Sequence, residues 1–298
     1  MSKEVNLKPA PVKNTRHVSE IRRFFKVFFS RWVVVLGMVI ILFFIIAAIF
    51  APWVAPYNPD KIDMNNALLQ PSKAHLLGTD SLGRDTLSRT IYGTRISLEI
   101  GFFVVVLGSA AGMALGLVAG YFGGWIQAIV MRFIDTMMAF PMLILALLIA
   151  SLLGGGINNV IMALAFAMIP AYARLMCGQV MTVRENDYVL AGRSMGASHT
   201  RIMLRHLLPN CFPPLIVMMT MMLGTTILAE AGLSFLGIGV QPPVATWGNM
   251  VNDGRQYLVT NPILSFAPGL AIMLVVYAFN MVGDGLRDAL DPQLRGIL

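Results

Sequence analysis

The residue types that usually carry catalysis or metal binding are sparse in this chain, and they are not grouped. The histidines have no spacing with acids or cysteines that would form a zinc site. The chain also lacks the GxxxxGK[ST] loop that cradles nucleotide phosphates, so it is not itself an ATPase. The serine in GLSFLG has no suitably placed general base. We therefore predict no catalytic residue, no metal and no cofactor bound by this chain, which makes an enzyme a poor interpretation.

Glu230 is the one acidic residue that lies well inside an apolar segment. An unpaired carboxylate in such a segment is costly, so it must face water, a partner or a hydrogen-bond donor. Two hypotheses stay open. Glu230 lines a pathway and meets a cationic group of a ligand, or it makes a structural contact with another membrane subunit.

Arg132 and Asp135 form a second candidate charged site. They are three residues apart near the start of an apolar segment, a spacing that places both on one helical face. Because the pair lies near the predicted cytoplasmic end of that segment, we expect a structural ion pair rather than a transport site.

Apolar segments must position these groups. Hydrophobic residues make up 57% of the chain, charged residues only 12%, and the mean hydropathy is +0.72. This composition indicates an all-α, polytopic membrane protein. Six segments are long enough to cross roughly 30 Å of hydrocarbon. They are residues 33–51, 96–119, 126–153, 157–176, 211–236 and 263–282. Pro141 is expected to kink the third segment.

Six crossings place both termini on one side of the membrane. Lys and Arg are concentrated on that side, so we predict cytoplasmic N and C termini. Residues 1–31 are then a cytoplasmic tail and a basic amphipathic interfacial helix, and residues 32–95 are the first transmembrane helix and an outer loop. Residues 96–290 form a five-helix transmembrane core with a cytoplasmic loop at 177–210, and residues 291–298 are a cytoplasmic tail.

The interfacial helix is predicted from the sequence SEIRRFFKVFFS. Its phenylalanines recur on one helical face, and Arg22, Arg23 and Lys26 lie on the other. A calmodulin target has the same pattern, but the neighbouring apolar segment favours an anionic membrane surface.

The cytoplasmic stretch NDYVLAGRSMGASHTRIMLRHLLPN is patterned more strongly than a simple connector requires. Tyr188, Ala191, Gly192 and Met195 share one helical face, which we call the docking stripe. Its middle is small, which lets the backbone of another protein come close. The glycine that follows stands where a left-handed helix terminator is expected, and the next serine is placed to cap a second short helix running toward Pro209.

This stretch resembles the "EAA" loop of ABC importer permeases, the short helix that inserts into a cytoplasmic ATPase. Leu190-Ala191-Gly192 stands at the family's Glu-Ala-Ala, and Leu190 replaces the acid. The variation is similar to the dipeptide/oligopeptide/nickel branch of the family. The resemblance assigns ATPase coupling to Asp187, Tyr188, Leu190, Ala191, Gly192, Met195, Gly196, Ala197 and Ser198.

The outer loop contains HLLGTDSLGRDTLSRTIYGTRISL. Its glycines and aspartates predict turns and helix caps, which favours a structured connector. GTDSLGRDTLSR also resembles a signature of the same branch, as do the QPP…WG segment and GDGLRDALDP further along. The outer-loop signature consists of Gly78, Thr79, Asp80, Gly83, Arg84 and Asp85. Trp247, in the WG pair, is expected to lie at the membrane interface.

The resemblance implies a six-helix permease subunit of a binding-protein-dependent ABC importer in the bacterial cytoplasmic (inner) membrane. It implies a homologous second permease, two cytoplasmic ABC ATPase subunits that use ATP and Mg, and an extracytoplasmic substrate-binding protein. No nucleic acid is expected. Short peptides are the expected substrate, with nickel chelates or glutathione as alternatives. An ion-coupled secondary transporter is the alternative of a different class, although few ionisable groups lie within the membrane to support it.

Overall fold

The computed structural model describes residues 20–290, and both predicted cytoplasmic tails fall at least in part outside that range. The described residues form helices, turns and loops, with no strand. The helices are α1 (Glu20–Phe28), α2 (Trp32–Ile49), α3 (Ala51–Val54), α4 (Thr86–Phe122), α5 (Gly124–Met138), α6 (Met142–Leu153), α7 (Ile157–Val183), α8 (Asp187–Ser194), α9 (His199–Arg201), α10 (Leu208–Phe235), α11 (Trp247–Gly254) and α12 (Ile263–Leu290). The predicted all-α fold is confirmed.

Five helical stretches of the described chain are long and apolar enough to cross a membrane, and a bent helix pair supplies the sixth candidate span. The five stretches are α2, α4, α7, α12 and His199–Phe235, which contains α10. The polytopic fold with up to six spans therefore agrees with the prediction. The side of the membrane on which the termini lie stays a prediction.

The third predicted segment, residues 126–153, is broken rather than merely kinked. Helices α5 and α6 meet at an angle of 89° across a short gap that ends at Pro141. Proline has no backbone N–H, and it also disfavours a helical conformation in the residue before it. Pro141 therefore ends one helical direction and opens α6 in another.

Helix α1 forms as predicted, but it does not present all of its phenylalanines on one free face. Phe28 is buried against Val34 and Ala289, so the helix packs on the end of α12. Phe25 and Phe29 stack on each other with ring centroids 6.1 Å apart and stay exposed. The interfacial location itself stays a prediction.

Helices α4 and α7 make the most extensive helix–helix contact among the described residues. A glycine occurs at every fourth position along the contacting face of α4, and we call this set the glycine stripe. Its members are Gly108, Gly112, Gly116 and Gly120. A Cβ atom on Gly112 would lie 2.6 Å from the carbonyl oxygen of Ile169 and 2.6 Å from Cβ of Tyr172. The two backbones therefore approach each other more closely than any side chain on these positions allows.

A second packed cluster surrounds Trp247, the first residue of α11. Its indole is fully buried, its ring centroid lies 5.6 Å from that of Phe44, and its Nε1 donates to the carbonyl oxygen of Thr90 at 3.1 Å. The indole is therefore covered by its own chain and is not an exposed anchor, and the depth of Trp247 in the membrane stays a prediction. The residue ties α11 to α2 and α4 because a buried indole N–H requires a partner.

Gly112→Ala is expected to lower the free energy of unfolding by about 2 kcal/mol, because overpacking a close contact costs that order of free energy. The measurement is thermal unfolding of the detergent-solubilised protein. Gly178→Ala is the matched control, since Gly178 is exposed on α7 and an added Cβ has no atom within 4 Å. Equal unfolding temperatures for the two variants would contradict the role of the glycine stripe.

Candidate functional site

The docking stripe lies on α8, a short helix that ends in a left-handed glycine. Gly196 has φ of +78°, as its predicted role as terminator requires. The N–H of Ala197 donates to the carbonyl oxygen of Gly192 at 3.1 Å, and the N–H of Gly196 donates to that of Arg193 at 2.9 Å. This pair of bonds satisfies the free carbonyls at the end of the helix and fixes the direction in which the chain leaves it.

Ser198 caps the next helix, as the sequence predicts. Its Oγ accepts a hydrogen bond from the N–H of Arg201 at 3.3 Å. The predicted end of this helix near Pro209 is wrong, however. A π-helical turn at Ile202–Leu207 joins α9 directly to α10, and the N–H of Leu208 reaches the carbonyl oxygen of Met203. Pro209 follows this π-helical turn and therefore stands inside a continuous helical stretch. The loop therefore continues into a spanning helix without a break.

Helix α8 buries little of its own surface. The side chain of Val189 is fully buried, whereas Tyr188, Ala191 and Met195 are exposed, Met195 by 82%. The backbone of Gly192 is covered, but a Cβ atom there would have nothing within 4 Å. The docking stripe thus faces open space, with its smallest residue in the middle. Asp187 and Leu190, on other faces of the same helix, are also exposed.

A cluster at the end of α4 holds this loop, and no local sequence pattern predicted it. The hydroxyl of Tyr121 lies 2.7 Å from Nδ1 of His199. The guanidinium of Arg193 lies over the Tyr121 ring, 5.0 Å from its centroid. Arg184, just after α7, donates from Nη1 to the carbonyl oxygen of Gly120 at 2.8 Å. These partners are far apart in sequence, so only the fold brings them together.

The predicted ion pair between Arg132 and Asp135 is wrong in one of its partners. Asp135 pairs with Arg174 of α7, with Nη2 and Oδ1 2.5 Å apart. The pair therefore bridges α5 and α7 instead of stabilising one face of α5. Both side chains are about half exposed, so the contribution of this bridge to stability is about 1 kcal/mol or less.

The outer-loop signature folds into a turn that opens α4. Asp80 Oδ1 accepts from the N–H groups of Leu82 and Arg84, both at 2.9 Å, and its Oδ2 lies 2.6 Å from Nε of Arg84. Gly78 and Gly83 both have positive φ, and a Cβ on either would collide with the loop backbone. These residues therefore specify a loop conformation, as the structured-connector interpretation predicts.

Two further members of the signature fix the loop to the start of α4. Asp85 is the N-cap: its Oδ2 accepts from the N–H of Ser88 at 2.8 Å, and its Oδ1 lies 2.8 Å from Nδ1 of His75. Thr79 accepts from the N–H of Leu69 at 2.9 Å and donates to the carbonyl oxygen of Asn66. The side chains that could bind a ligand are therefore already occupied within the loop.

A polar cavity of about 210 Å³ lies beneath this loop. Arg84 and Arg89 line it and are buried, while Asp253 borders it and is half-exposed. Partial burial raises the pKa of the Asp253 carboxyl, and the two arginines oppose that rise. Nη1 of Arg89 donates to the carbonyl oxygen of Pro59 at 3.0 Å, which connects the cavity wall to the loop. Arg89 belongs to the motif read from sequence, but its burial was not predictable from spacing.

Glu230 is fully buried inside the bundle, between α10, α4 and α11. Its Oε1 accepts from Oγ of Ser234 at 2.8 Å, and the hydroxyls of Ser97 and Thr246 also face the carboxylate. Its Oε2 accepts no hydrogen bond of standard geometry from the described residues. Among those residues, the carboxylate therefore meets hydroxyl groups of its own chain and no cationic side chain.

Comparisons with known proteins agree with this architecture. A family model described as "Binding-protein-dependent transport system inner membrane component" matches residues 112–296. A second, described as "N-terminal TM domain of oligopeptide transport permease C", matches residues 19–71.

Relatives of known name match almost the whole chain. The dipeptide transport system permease protein DppC of Alkalihalophilus pseudofirmus is 42% identical over 287 residues, which cover 96% of this chain and 94% of that protein. The glutathione transport system permease protein GsiD of Pectobacterium atrosepticum is 43% identical over 275 residues, or 92% and 91% of the two chains.

A solved structure supports the fold alone. A chain of the inward-facing MetNI methionine ABC transporter aligns with a TM-score of 0.55 and 20% identity. The alignment covers 68% of this chain and 97% of that one.

Asp85→Ala is expected to loosen the outer loop, because it removes the N-cap of α4 and the buried partner of His75. Loss of a cap alone costs about 1 kcal/mol. The measurement is hydrogen exchange of residues 57–85, which should become faster. Lys73→Ala, an exposed position in the same loop, is the control and should leave exchange unchanged. Unchanged exchange in both variants would show that Asp85 does not hold the loop.

Proposed function

The chain belongs to the family of inner-membrane components of binding-protein-dependent transport systems, and from that premise we propose that it forms the translocation path for short peptides and couples it to ATP hydrolysis by separate subunits. It is a multi-pass permease subunit of a bacterial ABC importer. The proposed parts are the substrate class, the coupling contact and the partner subunits.

The exposed docking stripe on α8 is the observation that carries the coupling proposal. A helix that buries only Val189 and the backbone of Gly192 gains little stability from its own bundle. Its apolar residues, Tyr188 and Met195, are left open on either side of a small centre. Such a surface fits a partner that covers it, and close backbone approach at Gly192 fits a groove in that partner. We assign this groove to the ATPase subunit.

The attachments of the loop support a mechanical role. Helix α7 ends at Val183, a few residues before α8 begins at Asp187. On the other side, the helix from His199 runs without interruption to Phe235. Displacement of α8 is therefore carried directly into two spanning helices. Closure of the ATPases around ATP supplies the difference in free energy between the two states of the permease, since a ligand shifts an equilibrium only by its differential affinity.

Four classes of partner follow from the family. They are a homologous second permease, two cytoplasmic ATPase subunits, an extracytoplasmic substrate-binding protein and the lipid bilayer. ATP and Mg are used by the ATPases, in keeping with the lack of a phosphate-cradling GxxxxGK[ST] sequence in this chain. The permease performs no bond chemistry in this scheme.

Short peptides are the proposed substrate because the two named relatives are permeases for dipeptides and for glutathione, which is itself a tripeptide. A nickel chelate is the alternative within the same importer type. Identification of the ligand carried by the associated binding protein tests the substrate class. A peptide supports the proposal, and a metal chelate overturns it while leaving the coupling scheme intact.

A role for Glu230 in the path does not follow from its position in this conformation. The carboxylate is enclosed by hydroxyl groups, so a substrate cation reaches it only if α10 and α11 separate. We therefore give Glu230 a packing role at the α10–α11 contact, and we keep the pathway role as the hypothesis under test.

Ala191→Glu is expected to reduce ATP-dependent uptake by ~10-fold or more, because an unpaired charge buried in a contact costs several kcal/mol. The assay is uptake by the complete importer in liposomes. Ser194→Glu is the matched control: it adds the same charge at an exposed position of α8 outside the residues to which coupling is assigned, and uptake should stay at the wild-type level. Wild-type uptake by Ala191→Glu would show that the docking stripe is wrongly placed.

Glu230→Gln is expected to keep uptake within about twofold of the wild type for peptides of every charge, because the amide can still accept from Ser234. Uptake of cationic, neutral and anionic dipeptides is compared in the same liposomes. A selective loss of cationic peptides would contradict the packing role and would place Glu230 in the path.

A further inference from the structure

We propose that Tyr121, at the end of α4, is a positioning residue that ties the α8–α9 loop to the α4–α7 pair, so that displacement of the docking helix moves both spanning helices together. The proposal rests on the coupling function assigned to α8 above. It adds a specific contact through which the motion passes, and Tyr121 itself lies outside the motifs identified in the sequence.

Tyr121 is well placed for this role because the residue is only 5% exposed and its hydroxyl has a hydrogen-bond partner. That hydroxyl lies 2.7 Å from Nδ1 of His199, in the first turn after the Ser198 cap. A buried tyrosine hydroxyl without a partner is costly, so this bond fixes the position of His199 relative to α4. The bond therefore holds the start of the helix that continues into α10.

The same ring also contacts the docking helix. The guanidinium of Arg193, in the last turn of α8, lies 5.0 Å from the centroid of the Tyr121 ring. This distance is within the range of a cation–π contact. Phe122, the next residue along α4, also contacts His199: the two ring centroids lie 5.7 Å apart. Elements on both sides of Gly196 are thus held against the end of α4.

The glycine stripe makes this end of α4 mechanically stiff. Gly120 is the last member of the stripe, and a Cβ there would lie 2.8 Å from Cβ of Val180 on α7. The carbonyl oxygen of Gly120 accepts from Nη1 of Arg184 at 2.8 Å. Because α4 and α7 have no space between them here, they respond to force at Tyr121 as a pair.

Without the Tyr121 contact, α8 would connect to the bundle mainly through the chain itself and the buried side chain of Val189. Motion of α8 would then reach the α4–α7 pair only through the short non-helical link at residues 184–186, which can absorb part of it. The energy of ATP-driven closure would move the loop without an equal movement of the spans. The expected defect is a loss of coupling, in which ATP is hydrolysed and less substrate is transported.

The test uses the complete importer in liposomes, with uptake and ATP hydrolysis measured on the same sample. Tyr121→Phe removes only the hydroxyl and keeps the ring under Arg193. His199→Ala removes the partner, and His199→Asn keeps a side chain that both donates and accepts near the position of Nδ1. Tyr277→Phe, which removes an exposed tyrosine hydroxyl from α12, is the control.

Tyr121→Phe and His199→Ala should each lower the number of substrates transported per ATP hydrolysed by about fivefold, the effect of one lost hydrogen bond. The double variant should lower it no further, because both changes remove the same interaction. His199→Asn should recover most of the wild-type ratio, and Tyr277→Phe should retain it fully.

The proposal is overturned if the transport-to-hydrolysis ratio of Tyr121→Phe and His199→Ala equals that of the wild type. It is also overturned if uptake falls only in proportion to the amount of ATPase that co-purifies, since that pattern reports assembly instead of coupling. If either result is found while Ala191→Glu loses uptake, the proposal for Tyr121 is contradicted and the proposal for the docking stripe is still supported. Wild-type uptake by Ala191→Glu removes the docking stripe itself.

Discussion

The close contact between α4 and α7 is the constraint on which the rest of the structure depends. Glycine at every fourth position of α4 lets its backbone lie directly against α7, and the carbonyl oxygen of Ile169 lies only 2.6 Å from the position that a Cβ of Gly112 would take. In a bilayer, helix association gains little from the hydrophobic effect, so such close packing is a main source of stability. The two helices end beside each other, where Arg184 donates to the carbonyl oxygen of Gly120, and the loop that carries the docking stripe begins at that end.

Each joint of the loop is specified by a different interaction. The left-handed Gly196 turns the chain, Ser198 caps the next helix, and the π-helical turn passes Pro209 into α10 without a break. The Tyr121–His199 contact then holds the loop to α4. A surface held in this way can transmit displacement, which is what the proposed coupling to a separate ATPase requires.

Local sequence patterns predicted the features that depend on neighbouring residues. They did not predict the contacts between residues that are far apart in sequence. The apolar segments, the Gly196 terminator and the Ser198 cap follow from periodicity and capping rules that act within a few residues. The partner of Asp135 was misassigned because Arg132 is near in sequence, whereas Arg174 is near only after α5 and α7 pack. The burial of Trp247 was missed for the same reason, since an aromatic residue near a predicted membrane boundary gives no sign of the helices that will cover it. The outer-loop residues remain a predicted family signature. In the structure they form the turns and the helix cap of a connecting loop.

Crosslinking from the docking stripe tests the central claim most directly. Met195 is 82% exposed and the native cysteines, Cys177 and Cys211, are buried, so Met195→Cys introduces an accessible thiol on α8. A short thiol-directed photocrosslinker placed there in intact cells should capture an ATP-binding subunit, and the yield should change when ATP is trapped. Efficient labelling of the introduced thiol that never yields a product containing an ATP-binding subunit would contradict the account.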